Sequence, residues 1–265
     1  MKSILSILVA IVLISLSGYA QNSIDSSRVV RVLTFNILHG ANTNNDFDLD
    51  IIARVITEAK PDLVAMQEVD FKTRRAGNLD LATELGCRTA MAPLFGKAMK
   101  YDNGEYGEGV LSKYSFLVSK THALPCSPGN EPRAALEVII LLPSNDTIAF
   151  IGSHLDHTND ETDRISQANK INEIFSSNKY PSILAGDLNA EPGSAPINIL
   201  EEMWKPTYNK EDPAFTYPSD NPTKKIDYIM YYPTNRWRIL NTEVIIDTVA
   251  SDHCGYLVVL ELLNE

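Results

Sequence analysis

The segment Ile183-Leu-Ala-Gly-Asp-Leu-Asn189 joins a run of small and apolar residues to two polar side chains at its end. The run before Asp187 predicts a central strand covered on both faces. Asp187 and Asn189 are two positions apart, so an extended backbone would point both side chains to the same side. On its own this pattern is more typical of a turn with Asx hydrogen bonds. Whether Asp187 and Asn189 belong to a functional site or to an ordinary turn depends on whether other strands end in the same way.

Apolar, strand-like runs are interrupted by an acid, an amide or an imidazole in five more places. One polar residue at a strand end is unremarkable, because strands finish at loops. Six interruptions confined to these residue types instead predict one mouth of a sheet sandwich lined for metal and phosphate chemistry. The other interrupting residues are Asn36, Glu68, His154, Asp227 and the pair Asp252-His253.

Strand-like and helix-like runs alternate along the chain, with no repeat or linker after residue 28. We therefore predict one domain over residues 28–265, an α/β fold built as a four-layered α/β/β/α sandwich of two mainly antiparallel sheets flanked by helices. Apolar periodicity predicts helices over 49–59, where Pro61 stops the run, 162–175 and 195–204. β-branched and aromatic runs predict strands over 29–38, 63–67, 108–111, 134–142, 147–154, 182–185, 226–232, 237–246 and 256–262.

The first twenty residues predict a secretory signal peptide. Lys2 provides a positive start, residues 4–16 are nearly all apolar, and Gly18-Tyr-Ala20 is a small-residue exit. A membrane helix is the alternative, but the apolar stretch falls short of the roughly 20 residues that span a bilayer. We expect a secreted or periplasmic protein with no transmembrane span after signal removal.

The charge of the chain argues against a nucleic-acid-binding surface. The formal net charge is −11, and −12 without Lys2, the only charged residue of the first twenty. Binding along a duplex usually needs a basic stripe, and none is visible. We therefore expect a phosphoester substrate, no stable nucleic-acid complex and a monomeric protein. Cys87, Cys126 and Cys254 have no ligand-like spacing; small buried residues are the first interpretation, although one disulfide pair could form.

Seven motifs follow one another along the chain: Leu33-Thr-Phe-Asn-Ile37, Met66-Gln-Glu-Val69, Gly107-Glu-Gly-Val-Leu-Ser112, Ser153-His-Leu-Asp156, Gly186-Asp-Leu-Asn-Ala190, Lys225-Ile-Asp-Tyr-Ile229 and Ser251-Asp-His253. Their residues and order resemble those of the endonuclease/exonuclease/phosphatase superfamily, the deoxyribonuclease I-like proteins. A bacterial branch of secreted metal-dependent hydrolases is similar in two segments. These are Gln67-Glu-Val-Asp70, with the Thr73-Arg74 that follows it, and His154-Leu-Asp-His157. The resemblance implies a metal-dependent phosphoric ester hydrolase on the fold predicted above.

Glu68 is the first candidate for a metal ligand, since Mg²⁺ prefers carboxylate and carbonyl oxygens and is usually held by one or two protein carboxylates. Asn36 would supply a neutral oxygen beside it, and Asp252 resembles a further member of the group. We expect Mg²⁺ or Mn²⁺, as one ion or two; Asp187 and Asn189 could hold the second.

The resemblance also implies the catalytic residues. Asp187 would align or deprotonate the attacking water, and Asn189 would donate to the phosphate or the nucleophile. His253 would contact the phosphate as base or acid, oriented by Asp227. His154 would complete an acid/base set across the scissile bond.

Three further residues are candidates for substrate binding. Arg74 could clamp a phosphate through two hydrogen bonds, with a solvated loop as the equal alternative. His39 could line the pocket or lie exposed in a loop. Arg133 resembles an arginine that the superfamily often places before a strand, although a surface ion pair is the commoner role for such a residue.

Three functions remain open from the sequence. The first is a secreted, divalent-metal-dependent phosphoesterase that hydrolyses a phosphodiester or phosphomonoester of a small molecule or lipid headgroup. The second is a secreted nuclease acting on DNA or RNA, which the same fold would support. The third is a non-catalytic binding protein on this fold. It would require the loss of a core residue, and none is missing.

Overall fold

Twelve strands and four helices make up the regular structure of residues 24–264, the part of the chain that the computed structural model describes. The predicted signal peptide, residues 1–20, lies outside the described residues. The strands are β1 Val29–Asn36, β2 Leu63–Phe71, β3 Ala92–Tyr101, β4 Gly104–Ser112, β5 Phe116–Ala123, β6 Ala134–Leu141, β7 Thr147–His154, β8 Ser182–Asp187, β9 Lys205–Pro206, β10 Asp227–Tyr232, β11 Trp237–Ile245 and β12 Gly255–Leu262. The helices are α1 Leu49–Ala59, α2 Leu81–Thr89, α3 Thr162–Phe175 and α4 Ala195–Glu201.

The predicted helices are confirmed, two of them with the predicted bounds, while the third ends at Glu201. At the start of α1, the Asp48 carboxylate accepts hydrogen bonds from two free backbone N–H groups. Its end is a left-handed Lys60 directly before Pro61, which cannot continue a helix. The sequence analysis missed α2, β3, β5 and the two-residue β9.

The strands form two mixed, six-stranded sheets. The first has the order β11-β12-β1-β2-β4-β3, and the second has the order β5-β6-β7-β8-β10-β9. Only one neighbouring pair in each described sheet is parallel, β1 with β2 and β7 with β8. Both sheets are therefore mainly antiparallel, as predicted.

Three apolar clusters bind four layers together. The first lies between the two sheets and includes Val32 and Phe150. The second packs α1 and α2 on the outer face of the first sheet, and the third packs α3 and α4 on the outer face of the second. This arrangement confirms the α/β/β/α sandwich. Within residues 24–264, none of the helices combines the length and apolar character that crossing a membrane would require.

One edge of the sandwich collects the polar side chains that the sequence places at strand ends. In the two parallel pairs, Asn36 stands opposite Gln67 and His154 stands opposite Asp187. Because β10 and β12 run antiparallel to β8 and β1, their first residues reach the same edge, where Asp227 stands opposite Asp187. The topology alone thus brings Asn36, His154, Asp187 and Asp227 to one edge of the sandwich, which we call the polar mouth.

Gly186 allows β8 to approach β7 at this edge. A Cβ atom at Gly186 would lie 1.9 Å from the carbonyl oxygen of Ser153, far inside the contact distance, and the obstacle is backbone. We expect Gly186→Ala to lower the free energy of unfolding by at least about 2 kcal/mol, because the two strands that carry His154 and Asp187 must separate. Urea denaturation measures this change.

Gly152 on the adjacent strand provides the matched control. A Cβ there would meet its nearest neighbour, the Cβ of Ala65, at 3.5 Å, an ordinary van der Waals contact. Gly152→Ala should therefore change stability by much less than Gly186→Ala. Equal effects of the two substitutions would show that the close approach at Gly186 is unimportant.

Candidate active site

The polar mouth opens into a pocket of about 650 Å³. Eight of the residues singled out in the sequence line it, while Asn36 and Asp227 lie buried beneath it. Arg74 is not among the lining residues; its neighbour Arg75 is. The eight lining residues are His39, Glu68, Arg133, His154, Asp187, Asn189, Asp252 and His253.

Glu68 is aimed by an irregularity in its strand. The pairing of β2 with β4 shifts register between Met66 and Val69, and Glu68 in this bulge has a positive φ of 60°. Such a backbone is strained for a residue with a side chain and is typical of functional sites. Burial alone would raise the pKa of Glu68, but the contact with His39 at 3.3 Å and weaker effects of other neighbours lower it to about 2. Glu68 is therefore an ionised carboxylate facing the pocket.

Asn36 connects the two sheets at the floor of the pocket. Its Nδ2 donates to Oε1 of Glu68 at 3.1 Å and to Oδ2 of Asp187 at 3.2 Å. Its Oδ1 accepts from the backbone N–H of Leu38 at 3.1 Å. The amide thus fixes the positions of two carboxylates, one from each sheet.

Asp187 lies at the centre of the constellation. Besides Asn36, its Oδ2 faces Nε2 of His154 at 3.4 Å and Nε2 of His253 at 3.6 Å. Burial raises the pKa of Asp187 to about 7, against the opposing charge of His253. A carboxylate whose pKa lies near neutrality can exchange a proton at physiological pH, which suits a general base.

His253 and Asp227 form a buried pair behind Asp187. Nδ1 of His253 lies 3.1 Å from both carboxylate oxygens of Asp227, which is fully buried. Burial works against a charged ring, but the two carboxylates raise the pKa of His253 to about 10. The ring is therefore an imidazolium at neutral pH, with its Nε2–H on the side of Asp187.

The backbone around this pair is held by two hydroxyl groups. Oγ of Ser251 donates to the carbonyl oxygen of Asn36 and accepts from the backbone N–H of His253. Oγ1 of Thr216 accepts from the backbone N–H of Asp227 at 3.2 Å. The Ser251 bonds tie the backbone of His253 to β1, and the Thr216 bond holds the backbone of Asp227.

His154 differs from His253 in its charge. Nη1 of Arg133 lies 3.1 Å from Nδ1 of His154, and a guanidinium can only donate, so this nitrogen accepts. Burial and the charge of Arg133 lower the pKa of His154 well below its usual range. The other ring nitrogen, Nε2, lies 3.4 Å from Oδ2 of Asp187 and 2.9 Å from Nδ2 of Asn189, a donor that also bonds the carbonyl oxygen of Leu155. The buried Arg133 thus orients a catalytic candidate, in addition to lining the pocket.

The donor set fits a hard divalent cation. Glu68 and Asp252 both offer carboxylate oxygens to the pocket. Burial raises the pKa of Asp252 against the opposing charge of His253, and repulsion by the negative charge of Glu68 raises it further. A cation between them would relieve this repulsion, and oxygen ligands are those that Mg²⁺ and Mn²⁺ prefer.

A second group of possible ligands lies deeper. Among residues 24–264, Asp187, Asp227 and His253 have ligand atoms within 4.8 Å of one another. Nδ1 of His253 is already committed to Asp227 by hydrogen bonds, however, and an imidazolium cannot bind a metal. Glu68 and Asp252 are therefore the better carboxylate ligands.

Four residues outside the candidate set named from the sequence also form part of the pocket wall. Arg75, Tyr101, Tyr106 and Tyr217 all line the pocket. The ring of Tyr217 lies 4.8 Å from that of His253, centroid to centroid. No spacing in the sequence marks these residues, because they reach the pocket from separate loops and from β3 and β4.

Comparison with known proteins identifies the family. Residues 33–253 match the model of the endonuclease/exonuclease/phosphatase family. The chain belongs to this family. Members of the endonuclease/exonuclease/phosphatase family are hydrolases that act on phosphoesters and generally depend on divalent metal ions.

Solved structures with the same fold include both bacterial and human proteins. An endonuclease/exonuclease/phosphatase from Bacteroides vulgatus is 22% identical, with a TM-score of 0.71 over 89% of this chain and 99% of the other. A mannosyl-6-phosphatase from Bacteroides thetaiotaomicron is 16% identical, with a TM-score of 0.67 over 89% and 100% of the two chains. The human Nocturnin catalytic domain, with a bound sulfate anion, is 17% identical, with a TM-score of 0.68 over 89% and 95%.

Proposed function

We propose that the protein is a secreted or periplasmic, divalent-metal-dependent phosphoesterase acting on a phosphodiester or phosphomonoester of a small molecule or lipid headgroup. The observation that carries this proposal is the position of Asp187, whose Oδ2 faces Nε2 of both His154 and His253. Glu68 and Asp252 face the same pocket with metal-binding oxygens.

Each member of the constellation has a distinct chemical role. Asp187, a buried carboxylate with a pKa near neutrality, accepts a proton from the attacking water. The imidazolium of His253 donates to a phosphoryl oxygen and stabilises the negative charge that grows there. The neutral His154 can hydrogen-bond the leaving oxygen through Nε2, and the proton that this oxygen takes up comes from water. Asn189, in contact with His154, positions that ring and the phosphate.

A divalent cation would be held by Glu68 and Asp252, with Asn36 beside them, and would supply positive charge to the phosphoryl oxygens. Asn36 reaches such an ion only if its amide turns, because its oxygen otherwise accepts from Leu38. The proposal includes one or two ions of Mg²⁺ or Mn²⁺.

The size and charge of the protein favour a small substrate. A pocket of about 650 Å³ lies within the range of small-molecule sites, roughly 300–1,000 Å³. The net charge of −11 gives no long-range attraction for a polyanion. The mannosyl-6-phosphatase of similar fold acts on a mannosyl 6-phosphate, as its name states. A monomer is sufficient for this activity, because every proposed residue comes from one chain.

A substrate panel tests the proposal on the mature protein. It contains bis(4-nitrophenyl) phosphate, sugar phosphates, glycerophosphodiesters, sphingomyelin, RNA and plasmid DNA, each with Mg²⁺. We expect turnover of small or lipid phosphoesters to exceed that of nucleic acid. Dominant cleavage of plasmid or RNA would instead make the protein a nuclease. No turnover of any substrate would favour the third function, a non-catalytic binding protein on this fold.

Removal of the metal should abolish this turnover. We expect EDTA to stop hydrolysis and added Mg²⁺ or Mn²⁺ to restore it. Glu68→Gln should weaken Mn²⁺ binding by at least about 10-fold, because even groups that only orient metal ligands are worth that much. Titration calorimetry with Mn²⁺ alone measures the binding without any need for activity.

Glu105→Gln is the matched control for Glu68→Gln. Glu105 pairs with Lys97 at 2.7 Å and does not line the active-site pocket. Mn²⁺ affinity should be unchanged in this variant. Turnover that survives exhaustive chelation, or equal Mn²⁺ binding by both variants, would contradict the metal site.

A further inference from the structure

Arg75 is held in the pocket wall by a carboxylate from the protein interior. Nε of Arg75 lies 2.6 Å from Oδ2 of Asp70, and Nη2 lies 2.9 Å from Oδ1. Asp70 is fully buried and also accepts from the hydroxyl of Thr73 at 2.7 Å. The two parallel hydrogen bonds fix the plane of the guanidinium.

Two tyrosine rings support the same guanidinium. Its central carbon lies 4.6 Å from the ring centroid of Tyr101 and 5.6 Å from that of Tyr106. Cation–π contacts of this kind further restrict the side chain. Arg75 is therefore set in one orientation before any ligand arrives, which lowers the entropy lost on binding.

This arrangement leaves hydrogen-bond donors unused. A guanidinium has five N–H groups, and the pair on Nε and Nη2 faces Asp70. Within residues 24–264, Nη1 of Arg75 has no hydrogen-bond acceptor. The end-on pair formed by Nη1 and the second N–H of Nη2 is thus free, and its geometry matches two oxygens of a phosphate or carboxylate.

The free pair belongs to the same pocket as the proposed catalytic groups. Arg75 packs on Tyr106, Tyr106 neighbours Arg133, and Arg133 contacts His154. All four residues line the pocket. A ligand with its scissile phosphate at His154 therefore meets Arg75 along the same wall.

We propose that Arg75 binds a second anionic group of the substrate, a terminal phosphate or carboxylate separate from the phosphate that is hydrolysed. This inference rests on the proposed function and narrows its substrate class to small phosphoesters with two anionic groups. Arg75 acts in specificity and takes no part in proton transfer.

The test compares three ligands on the same six-carbon scaffold. Glucose 6-phosphate has no second anionic group, 6-phosphogluconate adds a carboxylate, and glucose 1,6-bisphosphate adds a phosphate. Each is measured as a competitive inhibitor of bis(4-nitrophenyl) phosphate hydrolysis, so that a binding constant is obtained whether or not the ligand is itself hydrolysed. We expect the wild-type protein to bind at least one doubly anionic ligand about 10- to 100-fold more tightly than glucose 6-phosphate.

Two variants are needed, because Arg75→Gln alone would leave Asp70 buried and unpaired. Asp70→Asn/Arg75→Gln removes the ion pair as a whole, and Arg75→Lys keeps the charge without the paired donors. In the double variant, the doubly anionic ligand should bind no more than about 2-fold more tightly than glucose 6-phosphate. In Arg75→Lys, this ratio of affinities should lie between those of the wild type and the double variant. Thermal melting confirms that both variants are folded.

Arg74→Gln is the control, since Arg74 does not line the pocket and lies against the side-chain amide of Asn103. It should keep the full preference. Equal binding of all three ligands by the wild-type protein, or an unchanged preference in the double variant, would overturn the inference while hydrolysis itself stands. If no phosphoester is hydrolysed, the proposed function fails and the inference fails with it.

Discussion

Asp187→Asn is expected to lower kcat for bis(4-nitrophenyl) phosphate by about 10³-fold or more, near the upper end of what a positioned general base contributes. The substitution preserves the size of the side chain, and its amide can still contact Asn36 and the two imidazoles that surround Oδ2. What it removes is the ability to accept a proton from water, together with the hydrogen bond that Oδ1 accepts from the backbone N–H of Asn189 at 3.0 Å. KM should change far less than kcat, because the proton transfer belongs to the transition state.

The same substitution should not destabilise the protein. Burial raises the pKa of Asp187 from 3.8 to about 7, so the folded state favours the protonated form. The contribution of Asp187 to the free energy of unfolding is therefore most favourable below pH 3.8, and it is lost as the pH rises toward 7. In EDTA at pH 8, Asp187→Asn should therefore melt at the same temperature as the wild type or higher, and this advantage should shrink below pH 4.

A surface carboxylate provides the control for both measurements. Asp146 lies in the turn between β6 and β7 and pairs with Arg28 at 3.1 Å. Asp146→Asn should retain activity and show no gain in melting temperature at pH 8. An active Asp187→Asn variant would remove Asp187 from the mechanism, and a strongly destabilised one would assign it a structural role instead.

The sequence predicted α1 and α3 with their observed bounds because each helix has a buried apolar face with a clear period. It missed β5 for the opposite reason. β5 is an edge strand whose residues are mostly exposed, so no alternation of apolar and polar residues marks it. α2 is only nine residues long and contains Gly86, a poor helix former, so its apolar period is too short to stand out.

The residues of the candidate site also fall into two groups, those at strand ends, which the sequence predicts, and those in loops, which it does not. Residues at the ends of central strands were predicted because topology fixes where those ends meet, as for Asp187 and Asp227. The sequence suggests Arg74 as a phosphate clamp, but Arg74 and Arg75 lie in the same loop, where no period tells which side chain faces the pocket. In the structure Arg75 lines the pocket and pairs with the buried Asp70, a contact that exists only in the folded chain.

Asp227→Asn should affect the reaction through His253. The carboxylate accepts the Nδ1 proton of His253 and does not itself line the pocket. An amide keeps the shape but can present its N–H to the ring, which favours the wrong tautomer and removes the charge that stabilises the imidazolium. We expect kcat to fall by about 10²- to 10⁴-fold.

The pH dependence distinguishes this effect from simple damage to the fold. In the wild-type protein, Asp227 and Asp187 raise the pKa of His253 to about 10, so the imidazolium persists throughout pH 6–9 and activity should show no alkaline decline from this group. Without the Asp227 charge the pKa falls toward the ordinary value of 6.5, and activity should then decrease as the pH rises within that range. A pH–rate profile with Mg²⁺ measures the decline.

A double variant completes the argument, because two residues that act as one unit are not additive. Once His253 is replaced by alanine, Asp227 has no ring to orient. Asp227→Asn/His253→Ala should therefore have about the same kcat as His253→Ala alone, and neither should show the alkaline decline of the single Asp227→Asn variant. If the two losses multiply, Asp227 acts on the reaction by a route other than His253, for instance as a direct ligand in the deeper group with Asp187.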